Sequence, residues 1–383
     1  LAPGKTVVVC GEIYDKSWRN YPILQIQYSE GRAIYHPETE RRVVEFLVQN
    51  NVTHILCEYG CYGTEIVELN HRKLHLPIYV HFHGGDAAVM LRKSEVVEYY
   101  KWMGSVVTGV IACAHPMAFK LAKIGIPKEK IKVNHYGINI PEKIETTPEN
   151  EPCRFIFVGR LTPKKAPMLL IESFLKAYKK NRSIKLDIIG DHFLKNSTTD
   201  LLQKLKNFIY ENNLTDAVTL HGAQNSDYVF GMMQRSSVYI QHSITVPETG
   251  DAEGLPNTIL EASAYGLPII STKHEGIPDE IDHEITGFLV DEFDTDAMAN
   301  YMLKLAEDGL LRKKMGLAAR AKILREFSVQ HSMDGLREIM SLTNYFDGET
   351  NSFSSISLSE YPKIISELIV KNNIVEAEKY FKR

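Results

Sequence analysis

The chain alternates two kinds of segment: short β-rich apolar runs, and longer stretches whose apolar residues recur at helical spacing. In the first part the apolar runs are Thr6–Cys10, His54–Cys57, Ile78–Phe82, Val106–Ala112 and Ile131–Asn134, with helical pattern over Glu38–Gln49 and Pro116–Lys123. A second series has strands at Phe155–Gly159, Leu186–Gly190, Val218–His221, Val238–Gln241 and Pro268–Ser271. Its helices are Met168–Lys179, Leu201–Asn212, Tyr228–Arg235 and Asn257–Tyr265. Strands separated by helices join through crossovers rather than hairpins, so the pattern predicts parallel sheets covered on both faces.

The 383 residues allow two such domains at roughly 150 residues each. Between the two series, Asn139–Pro152 is rich in proline and glutamate and almost free of apolar residues, which predicts a linker. The expected organisation is a first domain over 1–140, a linker over 141–152 and a second domain over 153–328. A helix over 329–346 is expected to pack back on the first domain, followed by a polar linker and helical tail over 347–383. Two parallel sheets facing one another make the cleft outside their carboxyl ends the default ligand site.

Composition narrows the function. A net charge of −4, from 44 basic and 48 acidic side chains, gives no footprint for nucleic acid. Five cysteines without a CxxC pair argue against a disulfide framework and for a reducing compartment. No apolar run approaches the ~20 residues that span a bilayer, and no cationic-then-apolar leader precedes the first strand. The expectation is a cytoplasmic protein, with peripheral contact at the inner membrane face allowed. The opening residue is Leu1 rather than Met, which leaves room for a preceding segment.

Two segments carry chemistry. In Glu253-Gly254-Leu255-Pro256-Asn257-Thr258-Ile259-Leu260-Glu261, Gly254 and Pro256 force a loop and a helix starts at Asn257 or Thr258. Free amides and the helix dipole make that start an anion site. Acids at either end do not suit the anion, but a carboxylate can accept two hydrogen bonds from a vicinal diol beside it. A diphosphate flanked by a sugar and a ribose fits. The second segment, Phe155-Ile-Phe-Val-Gly159-Arg160-Leu161-Thr-Pro-Lys-Lys165, ends a strand with cations that can neutralise a diphosphate leaving group. Lys164 reads better as a solvated basic turn.

These motifs, together with Gly266-Leu-Pro-Ile-Ile-Ser, Glu275-Gly276-Ile277-Pro278 and Thr286-Gly287-Phe288-Leu289-Val290, resemble the family-4 group of retaining GT-B glycosyltransferases. Val80-His81-Phe82-His83-Gly84-Gly85-Asp86 is similar to that family's strand-end His-Gly-x-Asp, and Ile111–His115 through Gly137-Ile138-Asn139 to the stretch leading into its hinge. The resemblance covers roughly Asn51–Tyr345. It implies an α/β GT-B fold: two Rossmann-like parallel-sheet domains facing a central cleft, the first on the acceptor side, the second binding the nucleotide-sugar, with C-terminal helices. It implies that Arg160 and Lys165 bind the donor diphosphate and Glu261 the ribose diol. Glu253 would contact sugar hydroxyls near the reacting carbon, and amides of Gly254, Leu255, Pro256 and Asn257 would complete the cradle. His83 would lie near the donor sugar and reaction centre, so His83 and Glu253 are the catalytic candidates. The implied reaction is transfer with retention from a nucleotide-diphosphate sugar, a UDP-sugar first, to a hydroxyl acceptor that the sequence does not name. The departing phosphate would take the acceptor proton, with no metal and no cofactor. A phosphorylase, a nucleotide-sugar epimerase and a catalytically silent nucleotide-sugar-binding subunit remain open. The family's glycine loop after the first strand has only Gly11 as a candidate.

Other signals are weaker. His71 and His75 stand four apart on a helical pattern and His81 and His83 two apart on a strand, without HExxH spacing or an acidic companion, which argues against a metal. Cys57 and Cys61 have the wrong spacing for a zinc knuckle and read as buried thiols. Asp294-Thr295-Asp296 has the DxD shape of metal-dependent transferases, but its place before Ala297 predicts helix capping. Gly4-Lys5-Thr6 lacks an upstream strand for a phosphate loop. The basic run Lys120 to Lys132 reads as a solvated face.

Overall fold

The structure, a computed structural model, describes residues 6–10, 21–26, 36–61, 63–144, 152–191 and 201–342. Gly4, Lys5, the Gly11 loop, linker residues 145–151 and the tail over 347–383 lie outside the described residues. The chain divides into two compact units, the first holding residues 1–135 and 332–383 and the second residues 136–331.

In the first unit, β1 (Val8–Cys10) and β2 (Ile23–Gln25) form a parallel pair. There follow α1 (Pro37–Gln49), β3 (Ile55–Glu58), α2 (Thr64–Leu69), β4 (Ile78–Phe82) and α3 (Ser94–Val106). The unit continues with β5 (Gly109–Ala112), α4 (His115–Lys123) and β6 (Ile131–Val133). Strands β3 to β6 make a parallel sheet in sequence order. The strand read over Val106–Ala112 begins three residues later. Val106 ends α3, whose Val96, Tyr100, Met103 and Gly104 form one buried face, and the Val107 amide still donates to the Met103 carbonyl.

The second unit begins with β7 (Arg154–Val158), α5 (Pro167–Lys180), β8 (Lys185–Ile189), α6 (Leu201–Glu211), β9 (Val218–Gly222) and α7 (Ser226–Gln234). It continues through β10 (Val238–Ile240), α8 (Asn257–Ala264), β11 (Ile269–Thr272), α9 (Ile277–Glu280) and β12 (Gly287–Val290). Helices α10 (Thr295–Glu307), α11 (Gly309–Glu326) and α12 (Val329–Ile339) close the described chain. Most of α12 belongs to the first unit, where Leu336 and Met340 pack with Tyr79 and Ile111.

The second sheet is wholly parallel, in the order β12-β11-β10-β7-β8-β9. Counted from β7, that is the 3-2-1-4-5-6 order of the dinucleotide-binding fold. Alternate side chains of one strand enter two cores, which explains the continuous apolar runs. Phe155 and Phe157 join Leu170 and Phe174 of α5 and Met298 and Met302 of α10, while Ile156 and Val158 join Val229 and Met233 of α7 and Ile259 of α8.

Candidate functional site

In an open parallel sheet, ligands bind where the strand order reverses, because the helices leaving the two adjacent strands depart to opposite faces and open a crevice at their carboxyl ends. In the second unit that point lies between β7 and β10. The segment after β7 carries Gly159, Arg160 and Lys165, and the segment after β10 leads from Gln241 to Glu253 and α8. Gly190 makes the bend at the end of β8 possible: its φ is +141°, and a Cβ there would lie 1.9 Å from the Gly159 carbonyl oxygen.

Lys165 is 9% exposed; its Nζ lies 3.2 Å from Glu253 Oε1 and donates to Gln241 Oε1 at 3.4 Å. Burial pushes the lysine pKa down against the raising influence of Glu253, with Lys164 and Arg160 lowering it further. Burial would raise the Glu253 carboxyl, but Lys165, Lys164 and His274 override it and hold it at about 2. The two residues therefore stand as a buried ion pair at the switch point. Tyr239 brings its hydroxyl into the same polar group, within 2.9 Å of both Gln241 Oε1 and Thr258 Oγ1.

The long segment before Glu253 is tied down. Lys164 donates to Asp251 Oδ1 and to the Ala252 carbonyl, both at 3.1 Å. This corrects the solvated-turn reading: the side chain is 13% exposed and fastens the two segments together. His274 accepts the Glu253 amide on Nε2 at 3.2 Å and donates from Nδ1 to Glu292 Oε1 at 2.7 Å, while Glu292 Oε2 accepts the Thr245 amide. The Gly276 amide donates to the Gly254 carbonyl, which gives the Glu275-Gly276 motif its part in holding the loop.

Helix α8 begins at Asn257 behind Pro256, with no side-chain cap. Leu255 and Pro256 are buried; Gly254 and Asn257 are partly exposed. Among the described residues, Thr162 Oγ1 and Asn257 Oδ1 are buried atoms without a hydrogen-bond partner, one on each segment of the switch point. Glu261 sits one turn into α8, and desolvation raises its carboxyl to about 7. Glu280, at the end of α9, is 2% exposed; neither oxygen has a hydrogen-bond partner, and burial drives its pKa well above the ordinary value.

His83 belongs to the other unit, at the end of β4. Asp86, 3% exposed, gathers the strand end: one carboxylate accepts the amides of His83 at 3.0 Å, Gly84 at 2.8 Å and Gly60 at 3.0 Å. That explains a histidine, two glycines and an aspartate in this order. Gly60 is required beside Phe82, whose ring a Cβ would meet at 2.2 Å. The acidic companion that the sequence did not show is Glu58. His83 Nε2 lies 2.6 Å, and His81 Nδ1 3.2 Å, from Glu58 Oε2.

The structure thus brings Lys165 and Glu253 into contact within one unit, with Arg160 close enough to Lys165 to influence it; His83 is built into the other. Asp294 Oδ1 accepts the Ala297 amide and caps α10. Cys57 is buried, whereas Cys61 is only half-buried, which corrects the reading of both as buried thiols. Sequence reasoning missed Gln241, Tyr239, His274 and Glu292. The signal that could have found Gln241 is a polar Gln-His-Ser run directly after an apolar strand.

Residues 139–322, most of the second unit, match the family model described as Glycosyl transferases group 1. The fold is that of the GT-B glycosyltransferases: Anabaena HepE, crystallised with UDP, superposes at a TM-score of 0.73 over 88% of this chain and 92% of its own, with 18% identity. Among sequence relatives, the amylovoran biosynthesis glycosyltransferase AmsK of Erwinia amylovora is 34% identical over 224 residues, 58% of this chain and 53% of the relative. The UDP-Gal:alpha-D-GlcNAc-diphosphoundecaprenol alpha-1,3-galactosyltransferase of Escherichia coli is 26% identical over 285 residues, 69% of each. The chain spans about half the length of the first curated relatives it matches. Among the described residues, no helix is long and apolar enough to cross a membrane.

Proposed function

We propose that the protein is a retaining, metal-independent glycosyltransferase that moves a sugar from a nucleotide-diphosphate donor, UDP-linked in the first instance, to a hydroxyl acceptor in polysaccharide biosynthesis. The observation that carries this reading is the buried Lys165–Glu253 pair at the switch point, beside the uncapped start of α8. Lys165 and Arg160 meet the diphosphate, each charge-assisted hydrogen bond contributing about 1.5–3 kcal/mol. Their charge grows in value as the phosphate leaves, which is the work a divalent ion would otherwise do. The ionised Glu253 holds Lys165 in place and accepts sugar hydroxyls; Glu261 accepts the ribose diol. His83 works on the sugar, and the leaving phosphate takes the acceptor proton. The UDP bound to HepE and the UDP-Gal named for the galactosyltransferase support the donor, and the biosynthetic role named for AmsK supports the product class.

The test is calorimetry with UDP together with product analysis using radiolabelled UDP-sugars and polyprenyl-diphosphate-linked acceptors. Arg160→Ala and Glu261→Ala are expected to abolish UDP binding in folded protein. Unchanged affinity would refute the assignment, and UDP binding without sugar release from any donor would leave a silent binding subunit.

A further inference from the structure

The end of the first sheet carries a second arrangement of chemical groups. His83 directly follows β4, and its ring centroid lies 4.3 Å from that of His81, so the two imidazoles stand side by side. Glu58 is paired in register with His81 across the β3–β4 ladder, so these two share a face. One ligand atom from each of the three residues lies within 4.8 Å of the others. Ligands of a tetrahedral zinc ion at about 2.0–2.1 Å stand about 3.3 Å apart, a spacing reached by small side-chain rotations. The chemistry also matches: two imidazoles and a carboxylate with one position left open form the ligand set of reactive zinc sites. His81 is buried, so its ring is held among packed neighbours on that face. The second shell is present on the backbone, where Asp86 fixes the amides of His83 and Gly84. Half of the Glu58 side chain faces solvent and gives an ion a way in.

We propose that Glu58, His81 and His83 form a two-histidine, one-carboxylate site for Zn2+, and that an ion there restrains sugar transfer by capturing His83. The restraint rests on the role given to His83 above; the binding does not.

Calorimetry of the full chain with Zn2+ is expected to show one equivalent bound, and Co2+ to develop the intense visible absorption of a four-coordinate ion. His81→Ala and Glu58→Gln should each weaken Zn2+ by more than about tenfold and remove the Co2+ spectrum; His71→Ala should change neither. Glu58→Gln keeps the side-chain volume, so it decides the matter if His81→Ala fails to fold. Absence of binding, or binding unchanged in Glu58→Gln, would overturn the site. If the Co2+ spectrum is present but Zn2+ leaves UDP-sugar turnover unchanged, the restraint is overturned while the site stands.

Discussion

The two strand-end sites solve different problems with the same residue types. At the switch point of the second sheet, Glu253 and Lys165 neutralise each other in a buried setting, and the loop that carries Glu253 is fastened through Asp251, His274 and Glu292. At the end of β4, the buried carboxylate of Asp86 pairs with no lysine or arginine among the described residues; it holds three backbone amides and so fixes direction. The switch-point site manages charge and the β4 site manages geometry. A carboxylate motif read from sequence can serve either purpose, and only its partners tell which.

The comparison breaks most severely at Lys165. Lys165→Ala leaves Glu253 as an uncompensated buried charge, so a loss of about 3–5 kcal/mol in denaturant unfolding is expected. Transfer should fall by roughly 10²–10³ through loss of leaving-group stabilisation. The double variant Lys165→Met with Glu253→Leu removes both charges and should regain most of the stability but none of the turnover. If the double variant is as unstable as Lys165→Ala, the pair is not what the fold depends on here.

The Asp86 site should respond in the opposite way. Asp86→Ala strands three amides, and with each unsatisfied buried group costing about 1–3 kcal/mol, a loss of at least about 3 kcal/mol is expected by chemical denaturation. His83→Ala should leave stability and UDP affinity near wild type while lowering turnover about 10²-fold. A UDP affinity that falls in step with turnover would show that His83 binds the donor's diphosphate part.

The strand ends were legible because a run of apolar residues buried on two faces must stop where polar groups are wanted: Ile156-Phe157-Val158 before Gly159 and Ile78-Tyr79-Val80 before His81 show it directly. The partners were not legible, because they meet through register and loop return. Glu58 precedes His83 by 25 residues and reaches it only through the pairing of β3 with β4. Lys164 and Asp251 are 87 residues apart and meet only because β10 lies beside β7. A basic dipeptide and a loop acid, taken separately, both read as solvated. The end of α3 was hidden for another reason: its apolar face runs without a break into the strand that follows.

A smaller effect sharpens the charge-managing side. The carboxyl of Glu261 is raised to about 7 by desolvation, and a diol hydrogen-bonds best to its ionised form. UDP affinity at pH 6 should therefore be about tenfold below that at high pH through this group, with the loss growing tenfold for each further unit of acid. Glu261→Gln should bind weakly with that component of the pH dependence gone. Calorimetry across pH 5–9 on both proteins isolates it, since titration of the nucleotide is common to the two. Equal slopes would remove Glu261 from the diol.

The smallest expected change is at Glu280, which belongs to neither solution. Its carboxyl is buried without a hydrogen-bond partner, close enough to Lys165 and Glu253 to feel both, and desolvation raises its pKa well above the ordinary value. A buried polar group left in this state costs about 1–3 kcal/mol, so Glu280→Leu, of similar volume, should raise stability by about 1 kcal/mol after repacking. The sign of the pH dependence follows from the raised folded pKa. Above the unfolded value near 4.5 the folded state still holds a proton that the unfolded chain has released, so wild-type stability from this group falls as pH rises. The advantage of the leucine variant should accordingly widen from pH 4.5 upward in urea unfolding. An advantage that is constant with pH would mean the carboxyl is ionised in the folded protein, and the negative charge at the switch point would then exceed what Lys165 alone balances.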